Sequence, residues 1–138
     1  LNRAIKCVRD AGLADHPEGA LLWNSRGLAY DKKGDYDRAI RDYNEAITLD
    51  PDSVLYWRNR GVASHKKGVY NQAISDYSQA IKLDPDSAFY WHNRGNAYYS
   101  KGYYDQAIRD HSEAIRLKPD YAEAWRQRDE AYKAKSKP

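Results

Sequence analysis

The stretch from Tyr56 to Ser87 reads YWRNRGVASHKKGVYNQAISDYSQAIKLDPDS, and the stretch from Tyr90 to Tyr121, YWHNRGNAYYSKGYYDQAIRDHSEAIRLKPDY, aligns with it without a gap. The same step of 34 residues separates successive tryptophans, successive prolines and the members of two glycine columns. Self-similarity at a fixed period of this length is the sequence signature of repeat architectures. We therefore predict an N-terminal half-repeat at 1–19, full repeats at 20–53, 54–87 and 88–121, and a C-terminal capping helix at 122–138.

Each full repeat carries two stripes of apolar or small residues at helical spacing. Trp57, Gly61 and Ser64 lie at i, i+4 and i+7, and a second stripe begins with Ala73 and Tyr77 at the same spacing. A single pair of short helices leaves an apolar face open, which stacking against the next pair covers. Each repeat is therefore predicted to be two antiparallel helices joined by a short turn.

The residues between the stripes predict where helices end and begin. Gly68 follows two lysines and can take the left-handed conformation that ends a helix. Asp84 is held out of the helical region by Pro85, so Asp86 or Ser87 is predicted to cap the next helix.

Small residues predict a close approach of the two helices in a repeat. Gly61 in the first helix and Ala73 or Ala80 in the second have little bulk, so their backbones can come near each other. The chain has thirteen tyrosines, four tryptophans and no methionine. We expect these rings to fill the space around the contact.

The pattern W..RG.AY..KG.YD.AI.DY..AI.LDP, present in tandem copies, resembles the tetratricopeptide repeat family over essentially the whole chain. This resemblance implies an all-α fold of antiparallel helix pairs in a right-handed superhelical array, with about eight helices and no strands. It also implies that residues 3–17 form a second helix with one residue inserted, and that 122–135 form a lone first helix. In that last helix Trp125 and Tyr132 are expected to face inward.

Three features depart from the family pattern. The position before the first glycine, which is usually apolar, holds an arginine in every copy. His111 replaces the ring of Tyr43 and Tyr77, and Asp129 replaces the glycine of the earlier copies. The arginines are Arg26, Arg60, Arg94 and Arg128.

Each arginine of a full repeat has a matching acid in the second helix, namely Asp42, Asp76 or Asp110. This recurrence predicts a structural ion pair repeated along the array. Capture of an anionic ligand by the same arginines is the alternative interpretation.

Composition excludes several classes of function. The net charge of +3 is a weak bias, far from the concentrated positive charge of a dedicated nucleic-acid binder. The single cysteine, Cys7, rules out a disulfide framework and a cysteine-rich zinc site. The four histidines do not cluster in the sequence, and no nucleophile motif or phosphate loop is present. We therefore expect no enzyme activity, no metal and no cofactor. No apolar run approaches a membrane span, and we interpret the chain as a fragment of a longer protein with a cytoplasmic location.

In the tetratricopeptide family, the first helices line a concave groove that takes an extended peptide or a helix. Carried over by helical phase, this groove places exposed apolar side chains beside asparagines, whose amides can donate and accept hydrogen bonds to a peptide backbone. The predicted groove residues are Leu55, Arg58, Asn59, Val62, Lys66, Phe89, His92, Asn93, Asn96, Tyr99, Arg126 and Gln127. Their basic members predict a partner segment with some acidic and some apolar residues.

Family members that hold the acidic tails of heat-shock chaperones use a carboxylate clamp of Lys, Asn, Asn, Lys and Arg. The resemblance places this clamp at Asn24, Leu28, Asn59, Phe89 and Asn93, or one repeat later at Arg58, Val62, Asn93, Glu123 and Gln127. One or two of the five positions agree in either frame, so we expect no chaperone-tail clamp.

The first functional hypothesis is therefore a non-enzymatic scaffold that binds a protein or peptide in the groove. The second is a structural spacer or self-association module of a larger protein. The third is binding of single-stranded RNA by the interleaved basic and aromatic residues, although the weak net charge leads us to expect no nucleic-acid or membrane partner.

Overall fold

The computed structural model describes residues 1–12 and 15–138, and the side chain of Val8 is not described. The described residues form α-helices and one short 3₁₀-helix, Pro17–Gly19, with no strand among them. The insertion predicted within 3–17 lies partly outside the described residues, and the first helix is shorter than this stretch. The α-helices are α1 (Asn2–Asp10), α2 (Ala20–Lys32), α3 (Tyr36–Leu49), α4 (Val54–Lys67), α5 (Tyr70–Leu83), α6 (Ala88–Ser100), α7 (Tyr104–Leu117) and α8 (Ala122–Lys135).

The helices divide into two compact units. The N-terminal unit, Leu1–Gly68, holds α1 to α4, and the C-terminal unit, Val69–Pro138, holds α5 to α8. In the first unit α3 packs against α2 and α4, and in the second α7 packs against α6 and α8. Each pair α2–α3 and α6–α7 is joined by a turn of a few residues, so its members run antiparallel.

Glycine ends the first helix of each pair as predicted. Gly34, Gly68 and Gly102 have φ values of 78°, 89° and 79°, in the left-handed region that other residues avoid. In the turn after α2, Asp35 then accepts a hydrogen bond from the backbone nitrogen of Arg38 and caps α3.

The prediction of a cap at Asp86 or Ser87 is confirmed in its position, since Ser87 is the N-cap residue of α6, but not in its bonding. Ser87 precedes α6, but its side chain makes no capping hydrogen bond. The start of α6 is instead tied to the preceding linker by Trp91, whose indole Nε1 donates to the carbonyl of Pro85 at 3.0 Å. Trp57 makes the same bond to Pro51 at the start of α4, at 2.7 Å. The repeated tryptophan and proline thus act as one structural unit.

In the pairs α2–α3 and α6–α7, the side chain nearest to the glycine of the first helix is a ring of the second helix. A Cβ on Gly27 would lie 2.7 Å from Cε1 of Tyr43, and a Cβ on Gly95 would lie 2.8 Å from Cε1 of His111. The ring of the second helix therefore occupies the space that the glycine leaves empty, and no other residue fits there without displacement.

The prediction that Trp125 and Tyr132 face inward is wrong. Their side chains are 44% and 51% exposed. The buried residues of α8 are Ala124 and Ala131, which are seven apart and lie about 100° around the helix from Trp125 and Tyr132, in clusters with residues of α7. Arg128 covers part of the Trp125 ring at 4.7 Å.

Candidate peptide-binding surfaces

In the N-terminal unit, the predicted groove surface lies on α2 and α4. Leu21 is 60% exposed, and Leu28, seven residues further along α2, is also exposed. Leu55 and Val62 on α4 are half-buried, and Leu55 packs against the core cluster that contains Trp23. This surface therefore offers apolar side chains chiefly from α2.

Asn59 does not have the role that its type predicted. It is buried, and its Nδ2 donates to Oδ1 of the equally buried Asn24 at 2.8 Å. Its Oδ1 accepts two longer bonds from Arg58, at 3.3 and 3.4 Å. Asn59 joins α2 to α4, so its expected placement outside the core is wrong.

Lys66 is exposed but carries a counter-charge. Its Nζ lies 2.9 Å from Oδ1 of Asp31 and 6.0 Å from the ring centroid of Tyr36. The positive charge that the sequence assigned to this end of α4 is therefore largely neutralised by α2. Arg58, which is half-buried, is the remaining basic member of the set in this unit.

In the C-terminal unit, the predicted surface lies on α6 and α8. Phe89 is 43% exposed and meets Tyr90 edge-on, with ring centroids 5.9 Å apart. Asn93 is half-buried, and so is Tyr99, which packs against Tyr104 at 5.3 Å. On α8, Arg126 is exposed and Gln127 is half-buried.

His92 is also a core residue, contrary to its expected place on the groove surface. Its ring is buried and lies 4.8 Å from Tyr121 and 5.1 Å from His111, measured between ring centroids. Asn96 donates from Nδ2 to Nε2 of His92 at 3.2 Å. Burial lowers the pKa of His92, and the charge of Glu123, whose carboxylate is 3.8 Å away, opposes that shift.

The contact between His92 and His111 corrects the expectation that the histidines lie apart. The 16-residue step that puts Tyr43 against Gly27 also puts His111 against Gly95, one turn from His92. The same step can be read from the sequence and indicates that the two histidines are neighbours. Within the described part of the chain, no group of three or more residues could hold a metal ion.

The arginine column forms the predicted ion pairs in two helix pairs. Arg26 donates from Nε and Nη2 to Asp42, both at 2.8 Å, and Arg94 donates in the same way to Asp110 at 2.8 and 2.9 Å. Burial raises the pKa of Asp110, and the hydrogen bonds from Arg94 oppose the shift.

Each arginine also reaches the helix that precedes its own, a role that the sequence reasoning missed. Nη1 of Arg94 donates to Ser78 on α5, and Nη1 of Arg128 donates to Ser112 on α7. In the N-terminal unit Arg60 donates in the same way to Asn44 on α3. In these three cases the partner lies 16 residues earlier, so the repeat period could have revealed it. Nη1 of Arg26 instead donates to Asn2 on α1, 24 residues earlier.

No helix among the described residues combines the length and the apolar character needed to cross a bilayer. The candidate surfaces are mixed polar and apolar faces of helices with 13 or 14 residues, held by buried hydrogen bonds of amide and guanidinium groups.

Several solved structures of TPR domains have the same fold. The first TPR domain of Spaghetti (RPAP3), bound to the HSP90 peptide SRMEEVD, is 26% identical with a TM-score of 0.81, over 86% of this chain and 94% of that chain. The second TPR domain of human RPAP3, in complex with the HSP70 peptide SGPTIEEVD, is 29% identical with a TM-score of 0.80, over 84% and 98%. MamA is 27% identical with a TM-score of 0.85, over 96% of this chain and 75% of that chain.

Family models agree with the structural comparison. A model described as tetratricopeptide repeat matches residues 20–53, and a model described as TPR repeat matches residues 65–102 and 95–136. The search of curated protein sequences returned no match. With matches over most of its length and with its helix pairs, turn glycines and glycine–ring contacts, the chain belongs to the tetratricopeptide repeat family.

Proposed function

We propose that this protein is a non-enzymatic interaction scaffold that binds a peptide or a helix of a partner protein through the faces of its first helices. The observation that carries the proposal is the exposure of large apolar side chains on those faces, Leu21 and Leu28 on α2 and Phe89 on α6. Exposed apolar groups of this size, beside polar groups, are typical of interaction sites.

The polar residues support a rigid surface. The pair Asn24–Asn59 and the pair Asn96–His92 hold adjacent side chains in place before a ligand arrives, which lowers the entropy cost of binding. Asn93 and Gln127 remain at the surface in the C-terminal unit, where their amides can meet a peptide backbone. Arg126 and Arg58 favour a ligand with some acidic residues.

The ligand differs from the chaperone tails that the two RPAP3 domains hold. Asn59, a clamp position by the family pattern, is buried in the pair with Asn24, and Phe89 stands where that pattern has a lysine. An apolar ring cannot neutralise a terminal carboxylate. We therefore propose a partner segment with apolar anchors in place of a tail recognised by its carboxylates.

The role of the exposed apolar side chains in binding is tested with peptides that are selected from a random display library because they bind the wild-type chain. Phe89→Ser is expected to weaken a peptide selected on the C-terminal unit, and Leu21→Ser one selected on the N-terminal unit, each by about tenfold, the loss of a modest apolar hot spot. Both side chains are exposed, so folding is expected to survive.

The matched control is Val69→Ser, which removes an apolar side chain of similar exposure, 41%, that precedes α5 and lies outside the first helices. Isothermal titration calorimetry gives the affinities. A library that yields no binder, or a loss of affinity with Val69→Ser as large as with Phe89→Ser, would contradict the proposal.

Chaperone-tail recognition is tested separately with the peptides SRMEEVD and SGPTIEEVD. No binding is expected at peptide concentrations up to the millimolar range, because the clamp cations are replaced by Asn24, Phe89 and Asn93 in one frame. Fluorescence anisotropy of labelled peptides provides the measurement. Micromolar binding of either peptide would show that this part of the proposal is wrong.

A further inference from the structure

A cavity of about 420 Å³ opens in the N-terminal unit, away from the exposed leucines of the proposed peptide surface. It is lined by residues of α1, α2 and α3, and its walls are unusually rich in arginine. The arginines and the two aromatic rings of the wall are Arg9, Trp23, Arg26, Tyr30, Arg38 and Arg41.

Three of these guanidinium groups make cation–π contacts with two aromatic rings. The guanidinium carbons of Arg9 and Arg26 lie 5.0 and 5.1 Å from the Trp23 ring centroid. Those of Arg26 and Arg38 lie 5.7 and 5.6 Å from the Tyr30 ring centroid. The two rings therefore hold three positive charges close together, and a bound anion would stabilise this arrangement.

The acids in the cavity do not balance these charges. Asp42 accepts both of its bonds from Arg26, and Arg38 has a single contact of 3.5 Å with Asp35. Within the described residues, Arg9 and Arg41 form no ion pair. Glu45 is the only other acid in the wall, so four arginines face two carboxylates.

The C-terminal unit contains the matching cavity and serves as an internal comparison. That cavity, of about 360 Å³, is lined by Trp91, Arg94 and Tyr98 in the same order. Gln106 stands where the first cavity has Arg38, and two arginines face two carboxylates. The excess of positive charge is therefore specific to the N-terminal unit and is not a general property of the repeat.

The geometry selects the class of anion. Trp23 is buried beneath two guanidinium groups, which leaves no open indole face on which a nucleobase could stack. Guanidinium forks match the oxygens of a phosphoryl group and bind them by paired, charge-assisted hydrogen bonds. The site is thus suited to a compact anion with several acceptor oxygens.

We propose that the cavity formed by Arg9, Arg38 and Arg41 around Trp23 and Tyr30 is a binding site for a phosphoryl group. The group comes either from free phosphate or from a phosphorylated side chain of a protein partner, and the chemistry of recognition is the same. This site is independent of the peptide surface proposed above.

The test uses the full chain at low ionic strength with three probes: inorganic phosphate, the peptide Gly-Gly-phosphoserine-Gly-Gly and its unphosphorylated form. Calorimetry measures affinity, and the ¹H–¹⁵Nε resonances of the arginines locate the ligand. Binding of phosphate or of the phosphopeptide, with shifts at Arg9, Arg38 and Arg41, is expected. Preference for one of the two identifies the source of the phosphoryl group and supports the proposal in either case.

The variant Arg38→Gln introduces the residue that the second cavity has at this position, Gln106, and is expected to weaken phosphoryl binding about tenfold. The Arg38 side chain is 63% exposed, so its loss should leave the fold intact, which thermal unfolding verifies. Arg109→Gln in the second cavity is the matched control and is expected to change the affinity less than twofold.

Three results would overturn the proposal: no binding of either phosphoryl probe, equal binding of the unphosphorylated peptide, or equal losses from Arg38→Gln and Arg109→Gln. Because Phe89→Ser and Leu21→Ser lie outside this cavity, their effect on phosphate binding separates a failure of this site from a failure of the peptide surface.

Discussion

Replacing Asp110 with alanine is expected to lower the free energy of unfolding by about 3 kcal/mol, the low end of the cost of breaking a buried ion pair. Asp110 is buried, and it accepts two hydrogen bonds from Arg94, whose side chain is 18% exposed. Its removal leaves a guanidinium group largely cut off from water, with Ser78 as its remaining hydrogen-bond acceptor. For a chain of 138 residues this corresponds to a fall in Tm of roughly 10 °C.

Urea denaturation followed by circular dichroism measures the change. Asp105→Ala is the control, because Asp105 pairs with Lys135 at 2.7 Å in an exposed ion pair, and such pairs contribute little. The double variant Arg94→Met with Asp110→Leu should recover much of the loss, since an apolar pair of similar volume needs no desolvation of charge. Equal effects of Asp110→Ala and Asp105→Ala would show that burial of the pair does not matter.

Acidification from pH 7 to pH 4 is expected to remove about 3 kcal/mol of stability through His111 alone. The ring is fully buried against Gly95, and neither ring nitrogen has a hydrogen-bond partner among the described residues. Burial, with smaller contributions from the nearby His92 and the positive Arg128, lowers the pKa of His111 to about 4. In the unfolded chain the pKa of histidine is about 6.5.

The sign of the pH effect follows from these two values. Between pH 6.5 and pH 4 the unfolded chain binds a proton that the folded chain rejects, so stability falls as the pH falls. Above pH 6.5 both states are neutral and the stabilisation is complete. Below about pH 4 both states are protonated, and the contribution of His111 stops changing.

His111→Tyr isolates this effect, because tyrosine does not titrate in this range and Tyr43 fits against Gly27 at the equivalent position. The difference in unfolding free energy between this variant and the wild type should grow by about 3 kcal/mol on going from pH 7 to pH 4. His16→Tyr, at an exposed position, should follow the wild-type curve. If the unfolding free energies of wild type and His111→Tyr changed in parallel with pH, the role assigned to His111 would be wrong.

The sequence predicted the helix pairs, the turn glycines and the arginine–aspartate pairs, because these depend on local geometry repeated at one period. Gly34 and Gly102 adopt the left-handed conformation that their place after lysine predicts. The ion pairs at Arg26 and Arg94 follow from a constant step of 16 residues between two facing helices. Periodicity makes such contacts readable without a structure.

The candidate surface was predicted less completely, since helical phase gives the direction of a side chain but not what covers it. Asn59 and His92 have the phase of surface residues, yet a neighbouring first helix covers Asn59, and the rings of Tyr121 and His111 cover His92. Trp125 has the phase of a core residue, yet the buried face of α8 is formed by its alanines.

The amino-acid sequence by itself determined the family, the helix pairs and the arginine–aspartate pairs, because repeated local spacing encodes each of them. Only the tertiary structure decided which polar residues are buried, that two histidines meet, and that four arginines gather around Trp23 and Tyr30. These features depend on side chains from different helices that approach within a few ångströms. Such distances arise from packing, which the one-dimensional pattern does not contain.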